Sequence, residues 1–218
     1  MPKFVRNHSL TIVVVALFAM SIAGQTLTGW SVYNDDQREH GADAVALPEY
    51  LTTGHFGEAV FENWESEFLQ MGLFVLLTVA LRQKGSPESK PIDGEEEVDR
   101  QPDPDRPGAP WPVRAGGLIS KIYERSLSIA LISFFIISFG LHVITGAAAY
   151  SEEQQAHGEP SVTAIEYVAT PQLWFESLQN WQSEFLSIAA LVVLSIFLRQ
   201  RGSPESKPVD APLWETGN

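Results

Sequence analysis

Four apolar stretches nearly free of charge, separated by polar segments, decide most of what this 218-residue chain can become. Residues 10–30 contain no charged side chain, and residues 127–150 contain no acid or base other than His142. At about 1.5 Å per residue, each is long enough to cross a hydrocarbon core of about 30 Å as a helix. Residues 68–81 and 185–198 are shorter, and 14 helical residues cover only about 21 Å. Beginning each one turn earlier, at Trp64 and Trp181, lengthens it and adds an aromatic anchor at the membrane surface. The expected fold is therefore an all-α membrane protein with four transmembrane helices.

The basic residues alternate with these stretches. Lys3 and Arg6 precede the first, Arg82, Lys84 and Lys90 follow the second, Lys121 and Arg125 precede the third, and Arg199, Arg201 and Lys207 follow the fourth. With both termini and the middle of the chain on one side, 13 of the 14 lysines and arginines fall there, and only Arg38 lies opposite. Basic residues are retained in the cytoplasm, so the expected location is a bacterial inner (plasma) membrane with both termini inside. The basic start and apolar first stretch also resemble a secretory signal, but the stretch is long and has a counterpart deep in the chain, so it reads as a retained helix.

That counterpart belongs to an internal repeat. Residues 9–93 align without a gap on residues 126–210, an offset of 117, with 34 identities in 85 positions. NWESEFL matches NWQSEFL, and RQKGSPESKPID matches RQRGSPESKPVD. Each copy carries two expected spans, so both copies have the same orientation. They form tandem parallel repeats, which a pseudo-two-fold axis along the membrane normal would arrange as a four-helix bundle. The domain reading is a first membrane repeat over 1–93, a linker over 94–117, a second repeat over 118–210 and a flexible tail over 211–218. The linker is acidic and proline-rich, with little to bury, and reads as disordered.

The two copies of N-W-x-S-E-F-L, of R-Q-[KR]-G-S-P-E-S-K, and of the spaced set Tyr33, Gln37, His40, Gly41 and Tyr150, Gln154, His157, Gly158 resemble a family of uncharacterised bacterial multi-pass membrane proteins built on a domain of unknown function. The resemblance implies an integral membrane protein and carries no activity, cofactor or catalytic residue.

Three groups of residues stand out. Glu67 and Glu184 sit one turn inside their helices, below Trp64 and Trp181. Acids at such depth usually face a bundle interior, where they often mark ion or proton routes. Gln25 and His142 lie at matching positions of the first and third helices, about 3 Å deeper than the level of those acids. The expected pairing joins His142 to Glu67 or Glu184, with Gln25 in the equivalent place, as one polar cluster. Beyond the membrane, His40 and His157 with Glu49 and Glu166 form a possible outer-face cluster, since histidine and carboxylate suit transition metals. The plainer reading of that region is a helix end stopped by Gly41 and Gly158. Arg82 and Arg199 open the glycine-rich blocks, which lack the phosphate-loop pattern and read as helix terminators at the inner surface.

The remaining composition excludes whole classes. There is no cysteine, hence no disulfide or thiolate site, and the net charge of −13 argues against nucleic acid. No catalytic or dinucleotide motif is present. The expectation is a non-enzymatic structural or accessory membrane bundle with no cofactor and no assigned metal. Its partners would be the bilayer and a second copy or another membrane subunit. The alternatives are a small transporter or channel using the outer-leaflet carboxylates, and an extracytoplasmic metal or small-molecule binder.

Overall fold

A computed structural model describes residues 2–94 and 96–217, and the described residues form helices, turns and loops with no strand. Four long helices dominate: α2 (Ser9–Glu39), α4 (Gly54–Ala80), α7 (Ser126–Ala156) and α9 (Pro171–Phe197). The short helices are α1 (Lys3–Asn7), α3 (Leu47–Tyr50), α5 (Trp111–Ala115), α6 (Gly117–Tyr123) and α8 (Ala164–Val168). α2 and α7 each have 31 residues and start 117 apart; α4 and α9 each have 27 and also start 117 apart.

Three of the long helices, α2, α7 and α9, are long and apolar enough to cross a membrane. The expected fourth, α4, does not qualify. Its amino-terminal half carries Glu58, Glu62, Glu65 and Glu67, where α9 has Glu176 and Glu184 alone. The same acids explain why the apolar run appeared short in the sequence. In α2 the most apolar stretch has no buried residue, and side chains such as Val13, Leu17 and Phe18 are exposed. An apolar helix face of that extent has no place in water and needs lipid or a partner against it.

The helix ends show why these sequences stop where they do. α2 ends at Glu39 and α7 at Ala156, and each is followed within two residues by a left-handed glycine, Gly41 (φ 77°) and Gly158 (φ 80°). Thr53 and Thr170 stand just before α4 and α9, and Thr53 Oγ1 accepts from the Phe56 N–H at 3.2 Å. After α4, Arg82 donates to the carbonyls of Val79 and Leu81, and after α9 Arg199 donates to those of Ser195, Ile196 and Leu198. The block that follows folds on itself in the same way both times. Ser89 Oγ accepts from the Gln83 N–H and Ser206 Oγ from the Gln200 N–H, at 2.8 and 2.9 Å. The terminator reading of RQ[KR]GSPESK thus has a hydrogen-bonded basis.

The chain divides into two compact units, residues 1–61 with 140–174, and residues 62–139 with 175–218. Each unit takes residues from both sequence repeats, so the compact units are not the repeats themselves. In the first unit, Tyr50 and Tyr167 are fully buried and lie over Gly29 and Gly146. Their rings meet Tyr33 and Tyr150 at 5.6 and 5.7 Å. Gly57 faces the Thr145 side chain and Gly54 the backbone of Thr145 and Ala149, so small residues let backbones approach closely. In the second unit, Phe68 packs on Phe134 at 5.1 Å and Phe135 on Trp181 at 6.3 Å.

Two segments expected to be loose hold structure in the second unit. Within the linker, Glu97–Asp99 forms a 3-10 turn closed by a capping box, and Asp99 pairs with Lys90 at 2.6 Å. In the tail, Thr216 Oγ1 accepts from the Gly85 N–H, and the Gly217 N–H donates to the Ser86 carbonyl. The Lys207 ammonium is buried among the carbonyls of Pro212, Leu213 and Glu215.

Candidate functional site

The first unit brings a carboxylate beside a buried histidine. His142 lies on α7 among Phe139, Leu141 and Ile144 and has no exposed surface. A Glu58 carboxylate oxygen lies within 4.8 Å of a His142 ring nitrogen. Glu58 also accepts from the Tyr167 hydroxyl at 3.2 Å, so α4, α7 and α8 all contribute to this centre. Gly57, just before Glu58, brings α4 against Thr145, one turn beyond His142. The Thr145 hydroxyl donates to the Leu141 carbonyl of its own helix at 2.8 Å, which leaves its methyl group toward Gly57. Close backbone approach, a buried imidazole, a carboxylate and a phenol make a centre able to hold a proton or order a small cation.

Gln25 occupies the position in α2 that His142 occupies in α7, 117 residues earlier. Its amide donates to the Ala59 carbonyl of α4 at 3.1 Å. The polar contact expected of Gln25 therefore reaches helix backbone instead of Glu67 or Glu184. Those two acids belong to the second unit, whereas Gln25 and His142 belong to the first. Glu67 is exposed and Glu184 half-buried. Gln70 donates to the Glu184 carbonyl at 3.4 Å.

The acid that the second unit buries is Glu65, which has no exposed surface. Its Oε1 accepts from the Ser177 hydroxyl at 2.7 Å and from the Trp181 indole N–H at 3.2 Å. Trp181 was expected as a surface anchor, yet its polar edge is directed to this carboxylate. Glu62 accepts from the Asn180 amide at 3.0 Å. The half-buried Glu58 and the buried Glu65 carry no repeat signal, because the other repeat has Phe175 and Gln182 there. The matching positions of Gln25 and His142 were legible in the sequence; which acid lies beside them depends on helix rotation.

The outer-face residues are only partly brought together. The His40 and His157 rings meet with centroids 5.9 Å apart. Glu166 instead closes a capping box at the start of α8, accepting from the Thr163 N–H and hydroxyl at 2.8 Å. Those two hydrogen bonds hold its carboxyl below the usual range. Glu49 lies in the first turn of α3, the corresponding place in the first repeat. Arg82 and Arg199 act as the helix terminators already described.

No curated protein and no solved structure matched the chain. One family model did match, over residues 1–218, and it is described as a domain of unknown function, DUF6766. With three helices apolar enough for a membrane and a match over its whole length, the chain belongs to this uncharacterised family.

Proposed function

We propose that the chain is a four-span protein of the bacterial cytoplasmic membrane, with both termini and the linker in the cytoplasm. In this reading it serves as a non-enzymatic accessory bundle that holds a membrane partner, a second copy or another subunit. The observation that supports it most is the His142–Glu58–Tyr167 centre, in which a half-buried carboxylate meets a buried imidazole and a buried phenol on apolar helices. Such a centre ties helices in one register, because any slip leaves a buried polar group unpaired. α4 crosses with the others in this proposal: its 27 residues span about 40 Å and its last ten are uncharged.

A transport reading draws on Glu67 and Glu184, two acids at equivalent positions of α4 and α9. Against it, the last turns of α4 and α9 offer Thr78 and Ser195, whose hydroxyls bond back to their own helices. Polar groups able to guide an ion are therefore sparse through that half. The test is His142→Gln and Glu58→Gln in lipid nanodiscs, followed by thermal unfolding from pH 5 to 8, with proton flux measured in proteoliposomes. The accessory reading expects each variant to lose about 1–3 kcal/mol at every pH, with wild-type flux no greater than that of empty vesicles. A wild-type flux that both variants abolish, with stability unchanged, would replace it with transport.

A further inference from the structure

We propose that His40 and His157 are the protein ligands of a divalent transition-metal site, of the zinc, copper and nickel class, at the paired ends of α2 and α7. The two histidines occupy equivalent positions, 117 residues apart, and both belong to the first unit. Each sits beside the left-handed glycine that stops its helix. Their Nδ1 atoms lie 3.0 Å from the Asp36 carbonyl oxygen and 2.8 Å from the Glu153 carbonyl oxygen, in each case four residues back. A carbonyl only accepts, so each Nδ1 must carry the hydrogen. In the neutral ring Nε2 then holds the free lone pair. A backbone carbonyl that fixes one nitrogen and thereby frees the other is the arrangement that surrounds most metal-bound histidines.

The separation suits a shared ion. A metal–nitrogen bond of about 2.0–2.1 Å places the ion about 3.2 Å from each ring centre. Two rings on one ion then stand about 5.2 Å apart at a tetrahedral angle and about 6.4 Å apart when opposed. The rings are 5.9 Å apart, with planes at 65°, inside that window. Both histidines are exposed, so water can complete the coordination and no buried charge has to be created. The surroundings favour cations. Asp35, Asp36, Glu39, Glu152, Glu153 and Glu159 lie on the same two helix ends, where the only lysine or arginine is Arg38, itself paired with Asp35 at 2.7 Å. Asp36 also brings a carboxylate oxygen to 3.5 Å from His40 Nδ1. Imidazole with water suits late first-row divalent ions over magnesium or calcium.

This site is separate from the His142 centre and stands or falls independently of it. The experiment titrates Cu2+ into the full chain in nanodiscs, carrying no histidine tag, and reads binding by electron paramagnetic resonance. One equivalent should bind with hyperfine structure from two nitrogens. His40→Gln or His157→Gln should each weaken binding at least tenfold and leave one nitrogen, while His8→Gln and His55→Gln change neither. Saturating Zn2+ should raise the unfolding temperature of the wild type and not that of the double variant. A two-nitrogen spectrum that survives in the double variant, or a wild type that binds no Cu2+ above the level of the double variant, would overturn the proposal.

Discussion

At Gly146 the difference between hydrogen and methyl is decisive. A Cβ there would lie 2.7 Å from Tyr167 Cε1 and 2.8 Å from its hydroxyl, and Tyr167 is fully buried with its hydroxyl on Glu58. Gly146→Ala should therefore displace the ring and cost about 1–3 kcal/mol in thermal or denaturant unfolding. Gly140, on the same helix, has open space where its Cβ would stand. Gly140→Ala should stabilise by up to about 1 kcal/mol, since glycine is a poor helix former. Equal effects at the two positions would contradict the packing described. Glu88 supplies a pH prediction. Burial, a hydrogen bond to Glu205 and the charge of Glu205 all raise its carboxyl above the ordinary value. A raised acid favours folding below its unfolded pKa, and that contribution fades as pH rises through the folded value. Amide exchange in residues 83–90 should thus quicken from pH 4 to pH 7 beyond the intrinsic rise, and Glu88→Gln should remove the excess. These residue-level details were only half legible. Identity between repeats drew attention to Glu67 and Glu184, but identity marks what both copies need for their own local fold. The buried centre is asymmetric: His142 stands where the other copy has Gln25, and Glu58 where it has Phe175.

At the scale of elements, apolar runs and caps located α2 and α7 well, because lipid-facing helices leave long uncharged records in sequence. α4 and α9 begin about ten residues before their tryptophans, in segments rich in polar residues, so hydropathy alone cut them short. The acids that keep α4 below the apolarity of a spanning helix include the buried Glu65, whose partners Ser177 and Trp181 come from α9. A helix with satisfied buried acids can cross where an isolated one cannot, because the carboxylate no longer faces hydrocarbon. Single cysteines at Ala42, before α3, and at Arg106, in the linker, test whether it does; both residues are exposed. An impermeant maleimide on intact cells should label Ala42→Cys and reach Arg106→Cys only after permeabilisation. Labelling of both from outside, or of neither, would mean that α4 does not cross.

For the whole molecule, charge and repeat support one another. In the proposed four-span topology, thirteen lysines and arginines fall on one side and a single one on the other, and two hairpins of the same orientation supply the four crossings. Three crossings, by α2, α7 and α9 alone, would instead put Lys3 and Lys207 on opposite faces, with both GSPESK blocks across the membrane from Lys3. The most direct measurement is a pair of reporter fusions, one at each terminus, with green fluorescent protein reporting the cytoplasm and alkaline phosphatase the periplasm. The account predicts fluorescence and no phosphatase activity at both ends. Phosphatase activity at one end with fluorescence at the other would contradict it.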